Sequence, residues 1–109
     1  MKKLQKKKKA RPADARQAMY ILRLYISDST AKSKRAVVNL KRVCEEHLKG
    51  RYELEIIDIH KHAHLARDEQ IVAVPTLIKR LPAPLQRLVG DMSDLNKVLF
   101  GLDLRTREQ

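Results

Sequence analysis

One pattern constrains the fold more than any other: an apolar run, an amphipathic helical stretch and a second apolar run succeed one another within about 40 residues. The first run is Tyr20-Ile21-Leu22-Arg23-Leu24-Tyr25-Ile26, rich in aromatic and β-branched types. It suits a strand covered on both faces, as in a parallel sheet. Ser27-Asp28-Ser29-Thr30 supplies turn and N-cap chemistry. Ala36, Val37, Leu40, Val43, Cys44 and Leu48 then recur at spacings of three and four between Lys and Arg residues, one apolar stripe on a helix. Gly50 stands where a left-handed residue would stop that helix. The second run, Tyr52 to Ile59, alternates and then turns wholly apolar, so it reads as a strand. Strand, helix and strand make a βαβ unit, which crosses over right-handed.

The remaining residues are less uniform in type. His60 to Gln70 suggests a short helix turning Leu65, Ala66 and Ile71 inward, and Val74-Pro75-Thr76-Leu77-Ile78 suggests a strand entered through a proline. Leu81-Pro82-Ala83-Pro84 reads as a turn, Leu85 to Val89 as a short strand, and Gly90-Asp91 as another turn. Ser93 is the expected N-cap of a last helix through Leu95, Val98, Leu99 and Leu102, beyond which the chain turns polar. Pro75, Pro82 and Pro84 crowd one segment. They shape loops as ordinary trans prolines, or they give the segment two backbone arrangements with slow exchange, since X-Pro bonds interconvert over tens of seconds or longer.

Charge divides the chain unevenly. Of 109 residues, 24 are Lys or Arg and 13 are Asp or Glu, a net +11. Residues 1–18 hold eight of the cations against Asp14 alone, a balance of +7, which leaves +4 for residues 19–109. The division expected is a disordered basic arm over 1–18, one domain over 19–105 and a frayed tail over 106–109. A length of 109 residues accommodates one domain, and 43% apolar content argues for a folded one. No stretch approaches the roughly 20 apolar residues of a membrane span, and no secretory pattern opens the chain. The lone Cys44 forms no internal disulfide, and a reducing cytoplasm is the simplest compartment.

Catalytic chemistry finds little support. A βαβ opening followed by a Val-Pro-Thr strand entry outlines a thioredoxin-like domain, yet redox members need a cysteine pair at the start of the first helix, where amides stabilise a thiolate. Here that place reads Ser27 to Ser33, and Cys44 sits on the apolar stripe. His60, His62 and His64 are the one plausible metal cluster, but loop histidines are usually solvated and no fourth ligand is evident. His47 suits the negative end of the first helix dipole. Gly50, Gly90 and Gly101 are too scattered for a phosphate-cradling loop, and Asp91, Asp94 and Asp103 fit turns and caps. No cofactor and no enzyme activity are expected. The lysine arm lacks interleaved aromatics, so base stacking is not suggested and nucleic acid is a minor alternative.

Several stretches resemble the KaiB family of circadian clock proteins. They are the opening strand Tyr20 to Ile26, Ile57-Asp58-Ile59, Val74 to Lys79 and Leu81-Pro82-Ala83-Pro84. The most distinctive is Gly90-Asp91-Met92-Ser93-Asp94 with Lys97-Val98-Leu99-Phe100-Gly101-Leu102-Asp103-Leu104. The resemblance runs without apparent gaps from about residue 20 to 105. It implies a non-enzymatic regulator that binds the ring-shaped ATPase and autokinase KaiC and modulates its phosphorylation, with KaiA or a histidine kinase as further candidate partners. It also implies two folds: a tetrameric or otherwise homo-oligomeric ground state in βαββααβ order, and a thioredoxin-like state that binds KaiC. Carried onto this chain, the switch positions are Gly101, Asp103, Pro75, Pro82 and Pro84, and the partner-binding cations are Lys79, Arg87 and Arg23. The family's first loop often reads Ala-Gly-Asn-Thr-Pro where this chain has Ser27 to Ala31, and its Leu-Lys-Asn-Pro-Gln is here His60 to His64. The basic arm is also extra. A KaiB-like module of a sensor-kinase or stress pathway, and a basic-arm binder of nucleic acid or anionic surfaces, are the alternatives.

Overall fold

The computed structural model describes residues 18–104, so the arm, apart from Ala18, the last domain residue Arg105 and the whole tail over 106–109 lie outside the described residues. Seven elements follow in order: β1 (Tyr20–Ile26), α1 (Ala31–His47), β2 (Tyr52–Asp58), α2 (Ala63–Asp68), β3 (Thr76–Leu81), β4 (Gln86–Val89) and α3 (Leu95–Gly101). They form one four-stranded sheet in the order β2-β1-β3-β4. β1 and β2 are parallel, joined by α1 as the sequence pattern requires. β3 runs antiparallel to β1 and β4 antiparallel to β3. The sheet is therefore mixed. Its order is βαβαββα, the thioredoxin-like arrangement, and differs from the βαββααβ order that the resemblance assigns to a ground state.

Period-two alternation along β1 divides the core between the two faces of the sheet. Tyr20, Leu22 and Leu24 point to one face, where the α1 stripe of Ala36, Leu40, Val43 and Cys44 meets Val98, Leu99 and Leu102 of the α3 region. Tyr25 points to the other, where Ile57, Ile78 and Ala66 of α2 form a smaller cluster flanked by Leu65 and Ile71. Thr30 caps α1 as expected, its hydroxyl accepting from the Ser33 amide at 3.1 Å. The N-cap of α3 is Asp94 rather than Ser93: its carboxylate accepts from the Lys97 amide at 3.2 Å. Ser93 is occupied differently, donating its amide to Asp91 Oδ1 at 3.0 Å. The peptide bonds before Pro75, Pro82 and Pro84 are all cis, so the reading of three trans prolines does not hold.

Both short helices end in the same way. The Leu104 amide reaches Leu99 O and the Asp103 amide reaches Phe100 O, while Ile71 and Gln70 do the same to Ala66 O and Arg67 O. This paired bonding satisfies the last carbonyls and needs a left-handed residue after the cap, a place usually held by glycine. Asp103 and Gln70 take it instead, at φ 63 and 58. Among the described residues no helix is long and apolar enough to cross a membrane.

Candidate functional site

Four of the eight site residues expected from the sequence meet at the junction of the β3–β4 hairpin with the end of α3. Lys79 lies on the α1/α3 face of β3 and is only 1% exposed. Its ammonium donates to Pro82 O at 2.8 Å and to Asp103 Oδ2 at 2.6 Å. One residue earlier the Leu102 carbonyl accepts from the buried Tyr20 hydroxyl at 2.7 Å. Burial, and next the charge of Asp103, push the Tyr20 phenol above its ordinary range. Gly101 faces β4 so closely that a Cβ there would come within 2.7 Å of the Leu88 side chain. Gly101, Asp103, Pro82 and Lys79 are thus brought together. Pro84 lies further along the same turn. Pro75 is at the far end of the hairpin, buried, with its carbonyl accepting from the Gly90 amide at 3.0 Å. Lys79, expected as a docking cation, is turned inward in this arrangement.

The opposite sheet face carries the other two cations. Register places Glu55, Arg23, Ile78 and Arg87 in one row across all four strands. Arg23 Nε bonds Glu55 Oε1 at 3.1 Å. Glu69, the C-cap of α2, gathers the rest. Its carboxylate accepts from Arg80 at 2.8 Å and from the Tyr25 hydroxyl at 3.3 Å, and lies 3.6 Å from Arg23. Arg87 donates to its backbone carbonyl at 2.6 Å. Burial raises the Tyr25 phenol, with the Arg23 hydrogen bond opposing it. Nothing local marks Glu69 as this hub, because its partners come from β1 and the β3–β4 hairpin. Alternation puts Arg80 on the same face as Ile78, and the β1–β3 register slips beside it, leaving Arg80 without a partner on β1.

β4 closes the row as an edge strand, and Leu85 just before it and Val89 at its end are 51% and 54% exposed. Leu95 and Phe100 of the adjoining α3 are similarly uncovered. Unpaired strand edges flanked by apolar side chains are where proteins add a partner.

The other candidate chemistry is dispersed. Among the described residues no three His, Cys, Asp or Glu side chains form a metal-binding group. His60 instead shares its Nε2 with the Ser27 hydroxyl at 3.2 Å, in the loop where a redox pair would stand in a thioredoxin. Cys44 is fully buried in the α1 stripe, and burial pushes its thiol from 9.0 up to about 12. A colorimetric thiol reagent should accordingly leave Cys44 unmodified at pH 8 and react fully once denaturant is added. Because the native thiol holds its proton to higher pH than the unfolded one, this stabilisation is complete below about pH 9. It declines as pH rises toward 12.

Comparison with known proteins gives this arrangement its lineage. A KaiB domain model matches residues 23–104. The chain belongs to the KaiB family. Circadian clock protein KaiB3 of Synechocystis is 49% identical over 84 residues, covering 77% of this chain and 82% of that protein. Among solved structures, the N-terminal domain of Synechococcus elongatus SasA superposes with a TM-score of 0.63 at 22% identity, over 81% of this chain and 87% of that one. Chloroplastic thioredoxin z does so with a TM-score of 0.64 at 18% identity, over 84% of each chain. Both structural likenesses concern the fold, and they agree with a KaiB-family chain in thioredoxin-like order.

Proposed function

We propose that this KaiB-family protein is a non-enzymatic regulator that docks on a KaiC-type ATPase and autokinase and modulates its phosphorylation state. The observation that carries the reading is the arrangement of residues 60–104. They form the thioredoxin-like half that the family resemblance associates with partner binding, and they end in a free β4 edge with exposed Leu85 and Val89. Arg87 supplies the charge on that edge, held from one side by Glu69. Arg23, tied to Glu55 and close to Glu69, orients the row from within the sheet. In this proposal Lys79 acts from inside, fixing the hairpin to α3. If the chain also populates the βαββααβ ground state, the partner selects the thioredoxin-like conformer and its apparent affinity falls by that conformer's population.

The test is to mix the full chain with the KaiC-type protein of the same cell and ATP. Co-elution on a sizing column and the phosphorylated fraction over time are then followed. Co-elution with a changed phosphorylated fraction is expected, and Arg87→Glu should weaken the complex at least tenfold. Failure to associate, or a complex indifferent to Arg87→Glu and to disruption of the β4 edge, would overturn the reading.

A further inference from the structure

The charges on α1 run against the helix's own dipole. Aligned peptide groups leave partial positive charge at a helix's N-terminal end, so acids are favoured early and cations late. In α1 the first turn holds no acidic residue. Lys32, Lys34 and Arg35 come first, Lys41 and Arg42 follow, and Glu45 and Glu46 stand at the end. Helix stability does not ask for this order.

Four of those cations enclose one apolar residue. Lys34, Arg35, Lys41 and Arg42 lie four and three residues before and three and four after Val38, which makes them its neighbours on one helix face. All are exposed, and Val38 itself is 61% exposed. Val38 has no part in the buried stripe of Ala36, Leu40, Val43 and Cys44. Arg35 is tied to Asp91 at 3.1 Å and Arg42 to the Asn39 side chain at 3.0 Å. Among the described residues no ion pair ends on Lys34, Lys41 or Arg42.

We infer that this face of α1 is a docking surface for an acidic amphipathic segment of a protein partner, with carboxylates meeting Lys34, Lys41 and Arg42 and an apolar side chain meeting Val38. Charge complementarity selects an anionic occupant. The uncovered valine at the centre selects a polypeptide, because a nucleic-acid backbone has no apolar group to place there and the patch offers no aromatic ring for a base. This surface belongs to the N-terminal βαβ unit and does not depend on the β4 edge, so it stands whether or not a KaiC-type protein binds there.

The experiment uses the isotope-labelled full chain at physiological salt with two probes. One is a synthetic helical peptide with a leucine stripe flanked by glutamates, and the other a 12-base-pair DNA duplex. The peptide should shift amide resonances centred on residues 34–42. Lys34→Glu with Lys41→Glu should weaken it at least tenfold, and Val38→Ser several-fold, with thermal midpoints preserved. Peptide-induced shifts confined to residues 1–17 would overturn the proposal. So would a duplex that displaces the peptide from α1, or affinity indifferent to Val38→Ser.

Discussion

Leu40→Ala should destabilise the protein by about 2–5 kcal/mol, the cost of losing a buried leucine's transfer energy and leaving a cavity. Leu40 is fully buried where α1 crosses β1, with Leu22, Leu24 and Val98 in the same cluster. A domain of this size holds only about 5–15 kcal/mol in total, so the loss takes a large share of it. With about 4–8 °C of melting temperature per kcal/mol, a drop of about 8–40 °C is expected in a calorimetric or circular-dichroism scan. Val38→Ala, two residues away on the exposed face, is the control. It should change stability by no more than about 0.5 kcal/mol, since it opens no cavity. Equal effects at the two positions would mean that α1 does not pack as described.

The second large effect is expected at Lys79. Lys79→Ala removes the buried stem and leaves Pro82 O without its donor, and it should cost about 2–4 kcal/mol. Lys79→Met keeps the stem's volume and removes the charge together with the donor to Pro82 O, so it differs from alanine in the packing alone. It should lie within about 1 kcal/mol of the parent, because replacing a buried ion pair by an apolar side chain of similar size is often neutral. Asp103 is 44% exposed and regains water when its partner goes. Urea midpoints of the two variants decide the matter. If methionine were as damaging as alanine, the polar bonds of the ammonium to Asp103 and Pro82 O would hold the hairpin to α3; if alanine were harmless, the junction would contribute no stability.

The N-terminal half was legible because its signals are local. The helical stripe of α1, the Thr30 cap and the two apolar runs of the βαβ unit all appear where the residues indicate. Short helices gave weaker signals. α3 is capped by Asp94 although Ser93 is an equally good cap by type, and the Ser93 amide is instead held by the Asp91 carboxylate in the preceding turn. The left-handed positions after α2 and α3 are held by Gln70 and Asp103 rather than by glycine, and the one glycine nearby, Gly101, is the last residue of α3 itself. At Asp103 the placement accompanies the bond to Lys79 across 24 positions of sequence, and no local window contains both partners.

The candidate site divides in the same way. Arg23, Lys79 and Arg87 were evident as cations, and their separate roles were not. Alternation alone puts Lys79 opposite Ile78, but only the packed helices make one face a dry interior and the other a half-open row. Glu69 joins that row because α2 ends above it. Taken alone, the residue order determined a βαβ opening, a proline-rich hairpin and a family, since hydrophobic period and cap chemistry act over one or two turns. Tertiary structure decided that the chain takes the βαβαββα order, that Lys79 is internal, and that β2 and β4 are the edges of the sheet. Those outcomes depend on which distant surfaces exclude water together, and that is settled only when the elements pack.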